Sequence, residues 1–233
     1  MTDFPMMPWT PERVRAFWDY ESRFPERYFS YTAGGALVTR LSPFIQRNHT
    51  VLDYACGMGH LTAHLLAAGY RVVATDISPE SLAAVSVRFA GHGNFEGAFA
   101  PRELEFSARR FGTIFVCELI EHLGDDELDA LMAQLRRLVA PQGTILFTTP
   151  NDEPLAESNV LCPCCQQLFH RWQHVRSWTQ GSLCTYLQAH GLAVIECFAG
   201  RFSGRPASRL RRLAQRLKPT RKRPHLVAVC RLA

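Results

Sequence analysis

No run of the chain approaches the roughly 20 consecutive apolar residues needed to cross a bilayer. The opening Met1-Thr-Asp-Phe-Pro lacks a basic region followed by an apolar stretch, so no secretory signal is expected and cytoplasmic residence is the default. No internal repeat is apparent, which sets aside solenoids and propellers. Cysteine is not scarce: there are eight, and without a signal they point to reduced thiols rather than a disulfide framework. One segment lacks acids altogether. Residues 200–224 hold Arg201, Arg205, Arg209, Arg211, Arg212, Arg216, Lys218, Arg221, Lys222 and Arg223 and no Asp or Glu. Elsewhere sixteen bases face 21 acids, so the net charge of +5 belongs to that segment and not to the fold.

The 233 residues, 47% hydrophobic, suit one domain with insertions over 1–233. Residues 1–47 read as an N-terminal helical cap, with Trp9, Phe17, Trp18, Tyr20, Phe24, Tyr28, Phe29 and Tyr31 in one or two helices over the ligand end of a sheet. Residues 48–150 form the core. Strands are expected near 50–55, 71–76, 94–99, 112–117 and 143–149, and later near 192–198 and 225–232. Between them lie helix 60–68, stopping at Gly69, helix 79–90, capped by Ser78-Pro79, and helix 126–139, capped by Asp125. An irregular Cys/His insert spans 151–177, and Thr179 opens a helix that closes at Gly191. This alternation predicts an α/β, doubly wound, mainly parallel seven-stranded sheet covered on both faces, with ligands beyond the carboxyl ends of its strands.

The sharpest motif is Val51-Leu-Asp-Tyr-Ala-Cys-Gly-Met-Gly-His60, followed one helix later by Val72-Val-Ala-Thr-Asp-Ile77. Gly57 and Gly59 have no Cβ, so the backbone can turn tightly and a ligand can approach the next helix start. Asp76, at the tip of the second strand, is placed to accept hydrogen bonds from ribose hydroxyls, so a nucleoside cofactor is expected. The spacing is not the G-x-G-x-x-G dinucleotide fingerprint. It resembles motif I of the class I S-adenosylmethionine-dependent methyltransferases, with Ala55 in place of the first of three alternating glycines. Residues 115–123 (Phe-Val-Cys-Glu-Leu-Ile-Glu-His-Leu) and 141–151 resemble the fourth- and fifth-strand motifs of that superfamily. The resemblance implies S-adenosylmethionine as cofactor. Asp53 would orient the turn and meet the cationic end of the cofactor, and the Ala55, Gly57 and Gly59 turn would lie beneath methionine and ribose. Asp76 would bind ribose and Ile77 adenine. Phe99 is a candidate for the other adenine face, and Cys117 and Glu118 would lie beside the sulfonium. Simple core packing is the alternative for Ile77 and Phe99.

Methyl transfer is an in-line displacement, so the protein must align the acceptor and, for a hydroxyl, remove a proton. Glu118, Glu121 and His122 are the nearest candidates, and they share a face if the strand gives way to a helical turn at 118. They suit a general base or a hard divalent ion such as Mg²⁺, or merely orient a loop. Glu-Leu-Ile-Glu-His resembles the Glu-x-x-Glu-His of metal-dependent small-RNA 2′-O-methyltransferases and of ubiquinone-pathway O-methyltransferases.

In the insert, Cys162 and Cys165 with His170 and His174 make a candidate tetrahedral Zn²⁺ set, with Cys164 as a substitute thiol. The alternative has half-buried cysteines, with His174 facing the cofactor pocket as acceptor-binding base or as metal partner of His122. Residues 169–178 resemble bacterial methyltransferases related to those of surface-glycan gene clusters. In the basic segment Leu210, Leu213, Ala214 and Leu217 share a helical face among arginines. An anionic membrane surface contacted through 205–223 is favoured over RNA phosphates, and a solvated helix packed on the domain is the plain alternative. The expected activity is O-methylation of a small-molecule, glycan or lipid-linked acceptor. An RNA 2′-O-methyltransferase and a non-catalytic cofactor-binding scaffold are the alternatives.

Overall fold

The computed structural model describes residues 4–202 and 224–233. The expected basic helix and the whole of 205–223 lie outside the described residues. The chain opens with α1 (Pro11–Glu21) and α2 (Phe29–Leu41). There follow β1 (Val51–Tyr54), α3 (His60–Ala67), β2 (Val72–Thr75), α4 (Pro79–Arg88), β3 (Phe95–Phe99), α5 (Pro101–Glu105), β4 (Phe111–Cys117), α6 (Asp125–Leu138) and β5 (Val139–Pro150). A hairpin of β6 (Asn159–Leu161) and β7 (Leu168–His170) precedes α7 (Gln180–Ala189), β8 (Leu192–Gly200) and β9 (His225–Leu232).

Seven strands make one sheet in the order β3-β2-β1-β4-β5-β9-β8. The first five in that order are parallel, and β9 runs antiparallel to both its neighbours. Parallel strands are buried on both faces and so read as unbroken apolar runs. Side chains alternate between two cores. Leu52, Ile114, Ile145 and Phe147 pack with Leu128, Leu135, Leu183 and Leu187 of α6 and α7. Val51, Val72, Phe115 and Leu146 pack on the other face with Leu37, Leu61, Leu65 and Val85 of α2, α3 and α4. The doubly covered seven-stranded sheet is the expected one.

Local signals work as read at most helix ends. Ser78 Oγ accepts the Ser81 N–H, Thr179 Oγ1 accepts the Ser182 N–H, and Gly69 ends the α3 turn with φ 83°. Two details differ. Asp125 does not cap α6: Gly124 stands at the cap, its N–H bonded to Glu127 Oε2 at 2.9 Å, and Asp125 is the first helical residue. The insert is not irregular throughout but folds back as the β6–β7 hairpin, whose outer side receives the N-terminal arm through Met7 N–H to Leu168 O. Register aligns Tyr54 with Thr75 and Val116, and Cys117 with Thr148, so the loops after these strands open on one edge of the sheet.

Candidate functional site

After β1 the chain turns through three residues with positive φ: Ala55 (58°), Gly57 (50°) and Gly59 (73°). At Gly59 a Cβ would come within 2.9 Å of Phe89 and Val85, so glycine is needed for space as well as conformation. At Gly57 a Cβ would meet nothing within 4 Å, which leaves that peptide face open to a ligand. Ala55 holds the position of the missing glycine at a left-handed cost of roughly 1–2 kcal/mol, its methyl packed against the core.

Two carboxylates brace this turn. Asp53 is buried, and its Oδ2 accepts the Thr62 hydroxyl at 2.6 Å, tying β1 to the first turn of α3. Burial pushes its carboxyl up to about 7, against the lowering by the Thr62 hydroxyl and N–H. Asp76 accepts the Gly57 N–H at 2.8 Å and the Ser78 N–H at 2.9 Å, so it links the loops after β1 and β2. Burial raises this carboxyl too, against those N–H bonds. Ile77 beside it is 85% exposed, which rejects the core-packing reading for that residue. Phe99 is half-buried against the core, with the Arg109 guanidinium 5.0 Å over its ring. Burial and then Glu118 hold the Cys117 thiol well above its usual range, so it stays protonated; its sulfur accepts the Thr148 hydroxyl at 3.4 Å. Sequence reasoning missed His60, the first residue of α3. Both its ring nitrogens are buried without a hydrogen-bond partner, between the rings of Tyr28 at 5.4 Å and Tyr31 at 5.2 Å. Unpaired polar atoms and an open peptide face beside this turn fit a polar cofactor.

The second half of the site lies after β4. Glu118 adopts φ 49°, its N–H bonded to the Thr148 carbonyl at 3.0 Å, and the chain makes a single turn from Leu119 to His122. The expected helical face through Glu118, Glu121 and His122 therefore does not form, because the positive φ turns Glu118 aside. Its Oε2 lies 3.4 Å from His225 Nδ1 on β9. Glu121 is 1% exposed; Oε2 accepts the Thr149 hydroxyl at 2.9 Å and Oε1 has no hydrogen-bond partner.

The insert docks on this turn. Val175 N–H bonds Glu121 O at 2.9 Å, and Arg176 donates to Leu123 O. Gln173, buried with φ 61°, donates to His122 O at 3.1 Å and accepts Trp18 Nε1–H at 3.2 Å. His174 is thereby set 4.9 Å from the His122 ring, with His170 stacked on it at 4.6 Å. Glu153 Oε2 lies 2.5 Å from His174 Nδ1. Among the described residues, ligand atoms converge within 4.8 Å in two groups, Glu121–His122–His174 and Glu153–His170–His174.

Neither group contains a thiol, so the expected set of Cys162, Cys165, His170 and His174 is not assembled. Docking of residues 173–176 on the loop after β4 draws both histidines away from the hairpin tip. Instead His174 joins Glu121 and His122, the arrangement weighed as the alternative. Burial, followed by His174, pushes His122 down to about 3, while burial and Glu118 hold Glu121 well above the carboxylate range. Their 3.8 Å contact therefore joins two groups that favour their uncharged forms, and is not an ion pair. Unpaired Glu121 Oε1 and the two imidazoles are a donor set that fits a divalent cation, whose charge would favour ionised Glu121 and suit the neutral His122.

A family profile described as "Methyltransferase domain" matches residues 22–197. A ubiquinone biosynthesis O-methyltransferase of Aromatoleum aromaticum (strain DSM 19018 / LMG 30748 / EbN1) is 32% identical over 104 residues, and the match spans 43% of this chain and 44% of that protein, under half of each. Among solved structures, the methyltransferase CcbJ from Streptomyces caelestis superposes with a TM-score of 0.66 at 18% identity, over 93% of this chain and 98% of that one. The glycopeptide N-methyltransferase MtfA complexed with sinefungin gives 0.65 at 18% identity, over 87% and 95%. The Burkholderia thailandensis 1,6-didemethyltoxoflavin-N1-methyltransferase, with its bound substrate and S-adenosylhomocysteine, gives 0.62 at 19% identity, over 99% and 94%. These likenesses show the fold, and the profile covers most of the chain. With the turn after β1 and Asp76 at the tip of β2, they lead to one conclusion: the chain belongs to the class I S-adenosylmethionine-dependent methyltransferases.

Proposed function

We propose that the protein transfers a methyl group to a hydroxyl oxygen of a small-molecule acceptor, a saccharide or lipid-linked intermediate included. The observation that carries this is the convergence of Glu121, His122 and His174 beyond β4, held by the docked insert. An oxygen nucleophile must lose its proton as it attacks; His174 can receive it, or a cation held by the three residues can lower the hydroxyl's affinity for it. Bound S-adenosylmethionine would supply the methyl electrophile. In this reading Asp76 holds ribose, Ile77 and Phe99 face adenine, Cys117 lies beside the sulfonium, and Gly57 and Gly59 keep the turn open. Asp53 and Ala55 shape that turn. With Glu153 ionised, His174 Nδ1 keeps its hydrogen and Nε2 presents a lone pair. A divalent cation, Mg²⁺ or Zn²⁺, would be held by Glu121, His122 and His174, where it would act as a Lewis acid on the acceptor oxygen. Glu118 stands outside that set and contacts His225. The Glu-x-x-Glu-His resemblance and the O-methyltransferase relative both support oxygen as the acceptor atom.

The test is release of S-adenosylhomocysteine across a panel of phenols, catechols, saccharides and the matching amines. The protein is first treated with chelator and then supplied with Mg²⁺, Mn²⁺ or Zn²⁺. Turnover on hydroxyls that needs the cation and disappears in Glu121→Gln supports the cation-assisted reading. Turnover that survives chelation but is lost in His174→Ala moves the proton to His174 alone. Turnover on amines only, or methylation of RNA ribose instead, would replace the proposal. The basic segment favours one addition: residues 205–223 bring the enzyme to anionic lipid, where an isolated run of bases on an otherwise acidic chain binds reversibly.

A further inference from the structure

The hairpin tip holds thiols that the methyl-transfer site does not use. Residues 162–167 form a closed turn between β6 and β7: Cys162 N–H bonds Gln167 O, and Gln166 N–H bonds Cys162 O, both at 2.9 Å. Gln166 takes φ 56° to close it. The Cys164 and Cys165 peptides and the Cys165 thiol lie by the Cys162 sulfur and lower its thiol's hold on the proton. Two thiols in one closed C-x-x-C turn make half of a tetrahedral thiolate site.

The other half is not supplied by the described residues. His170 Nδ1 accepts the N–H groups of Trp172 and His174, and its Nε2 faces Glu153 at 3.5 Å. His174 is held by Glu153. No group of three ligand atoms among the described residues includes Cys162, Cys164 or Cys165. Yet the tip is open and suited to being covered. Cys164 and Cys165 are exposed, residues 159–169 carry no charge, and Val160 and Leu161 on β6 and Phe4 and Met6 on the adjoining arm all present apolar surface. In the hairpin sheet β6 is the outer strand, because β7 takes the arm on its other side.

We propose that Cys162 and Cys165 bind Zn²⁺ together with the same two thiolates of a second copy of this chain, making a four-sulfur site across a two-fold dimer. Two-fold symmetry presents the same patch twice, so two half-sites complete four ligands, and the apolar strips on either side of the tip meet each other. Each of the four thiols gives up its proton to solvent as its sulfur bonds the metal, and no oxidation state changes.

The test loads the full chain with Zn²⁺ under a non-thiol reductant, removes loose metal, and reads bound zinc and molar mass together. Beyond whatever zinc the Glu121, His122 and His174 set retains, about half a zinc ion per chain on a dimer is expected. Cys162→Ser with Cys165→Ser should lose the zinc and run as a monomer, while Cys164→Ser keeps both. Calorimetry with S-adenosylhomocysteine should give the same affinity for all three proteins, which checks folding independently of the metal. Co²⁺ in place of Zn²⁺ should give the strong visible bands of tetrahedral thiolate coordination. One zinc per chain on a monomer, no retained zinc, or a zinc-bound dimer persisting in the double variant would each overturn the proposal.

Discussion

Asp76 carries two duties, and its removal separates them. The carboxylate joins the Gly57 and Ser78 peptides in the structure and is the proposed ribose acceptor. Asp76→Ala should weaken S-adenosylmethionine and S-adenosylhomocysteine binding by about 1–3 kcal/mol through lost charged hydrogen bonds, read by calorimetry. Asp53 has a different signature. Its carboxyl moves from 3.8 to about 7 on burial, so the native state holds that proton more tightly than the unfolded chain. The sign follows: the contribution is full below about pH 4 and is lost as pH rises through about 7. Asp53→Asn keeps an acceptor for Thr62 and cannot ionise. Urea unfolding at pH 5 and pH 8 should show the wild type losing more stability than the variant across that interval. The difference is at most about 3 kcal/mol, because about two units of the shift lie above pH 5 at 1.36 kcal/mol each.

The insert is the element that brings His174 to Glu121 and His122, the proposed acceptor side, and Gln173 is its pin. Its amide spans Trp18 on α1 and the carbonyl of His122, about 50 residues away in sequence. Gln173→Ala should free residues 170–176. Cofactor affinity should hold, kcat should fall at least tenfold, and hydrogen exchange should speed up at Val175, whose N–H reaches Glu121 O. Such docking explains what the sequence did and did not disclose. Gly57 and Gly59, Ser78-Pro79 and Thr179 act within a few residues of themselves, so their turns and caps are legible along the chain. His170 and His174 stand near the cysteines in sequence, yet their partners are Glu153, Glu121 and His122, reached only once the insert folds back. The positive φ of Glu118 is set by pairing with β5 at Thr148, and no residue type announces it. His60 was legible only as the residue after a glycine turn; its unpaired nitrogens come from Tyr28 and Tyr31 crossing over it.

For the whole molecule, charge is divided unevenly, and lipid binding should follow that division. With sixteen bases against 21 acids outside residues 200–224, the rest of the chain repels an anionic surface while the segment is drawn to it. Anionic vesicles should co-sediment the intact chain, with recovery falling steeply as salt rises, and neutral vesicles should not. Changing Arg209, Arg211, Arg212 and Arg216 to Gln should abolish that recovery; equal recovery of both proteins would reject the membrane role. No helix among the described residues is long and apolar enough to cross a membrane.

The place of β9 has a consequence for synthesis. It follows β8 in the chain, yet it sits inside the sheet, between β5 and β8, and its first residue, His225, meets Glu118. Ile145 on β5 waits for Cys230, some 80 residues later, before that edge is covered. A nascent chain can wind its five parallel strands in order while it is still on the ribosome. Until β9 emerges, β5 and β8 each present a bare edge that other chains can pair with. How promptly β9 inserts therefore decides whether a newly made copy closes on itself or pairs with its neighbours.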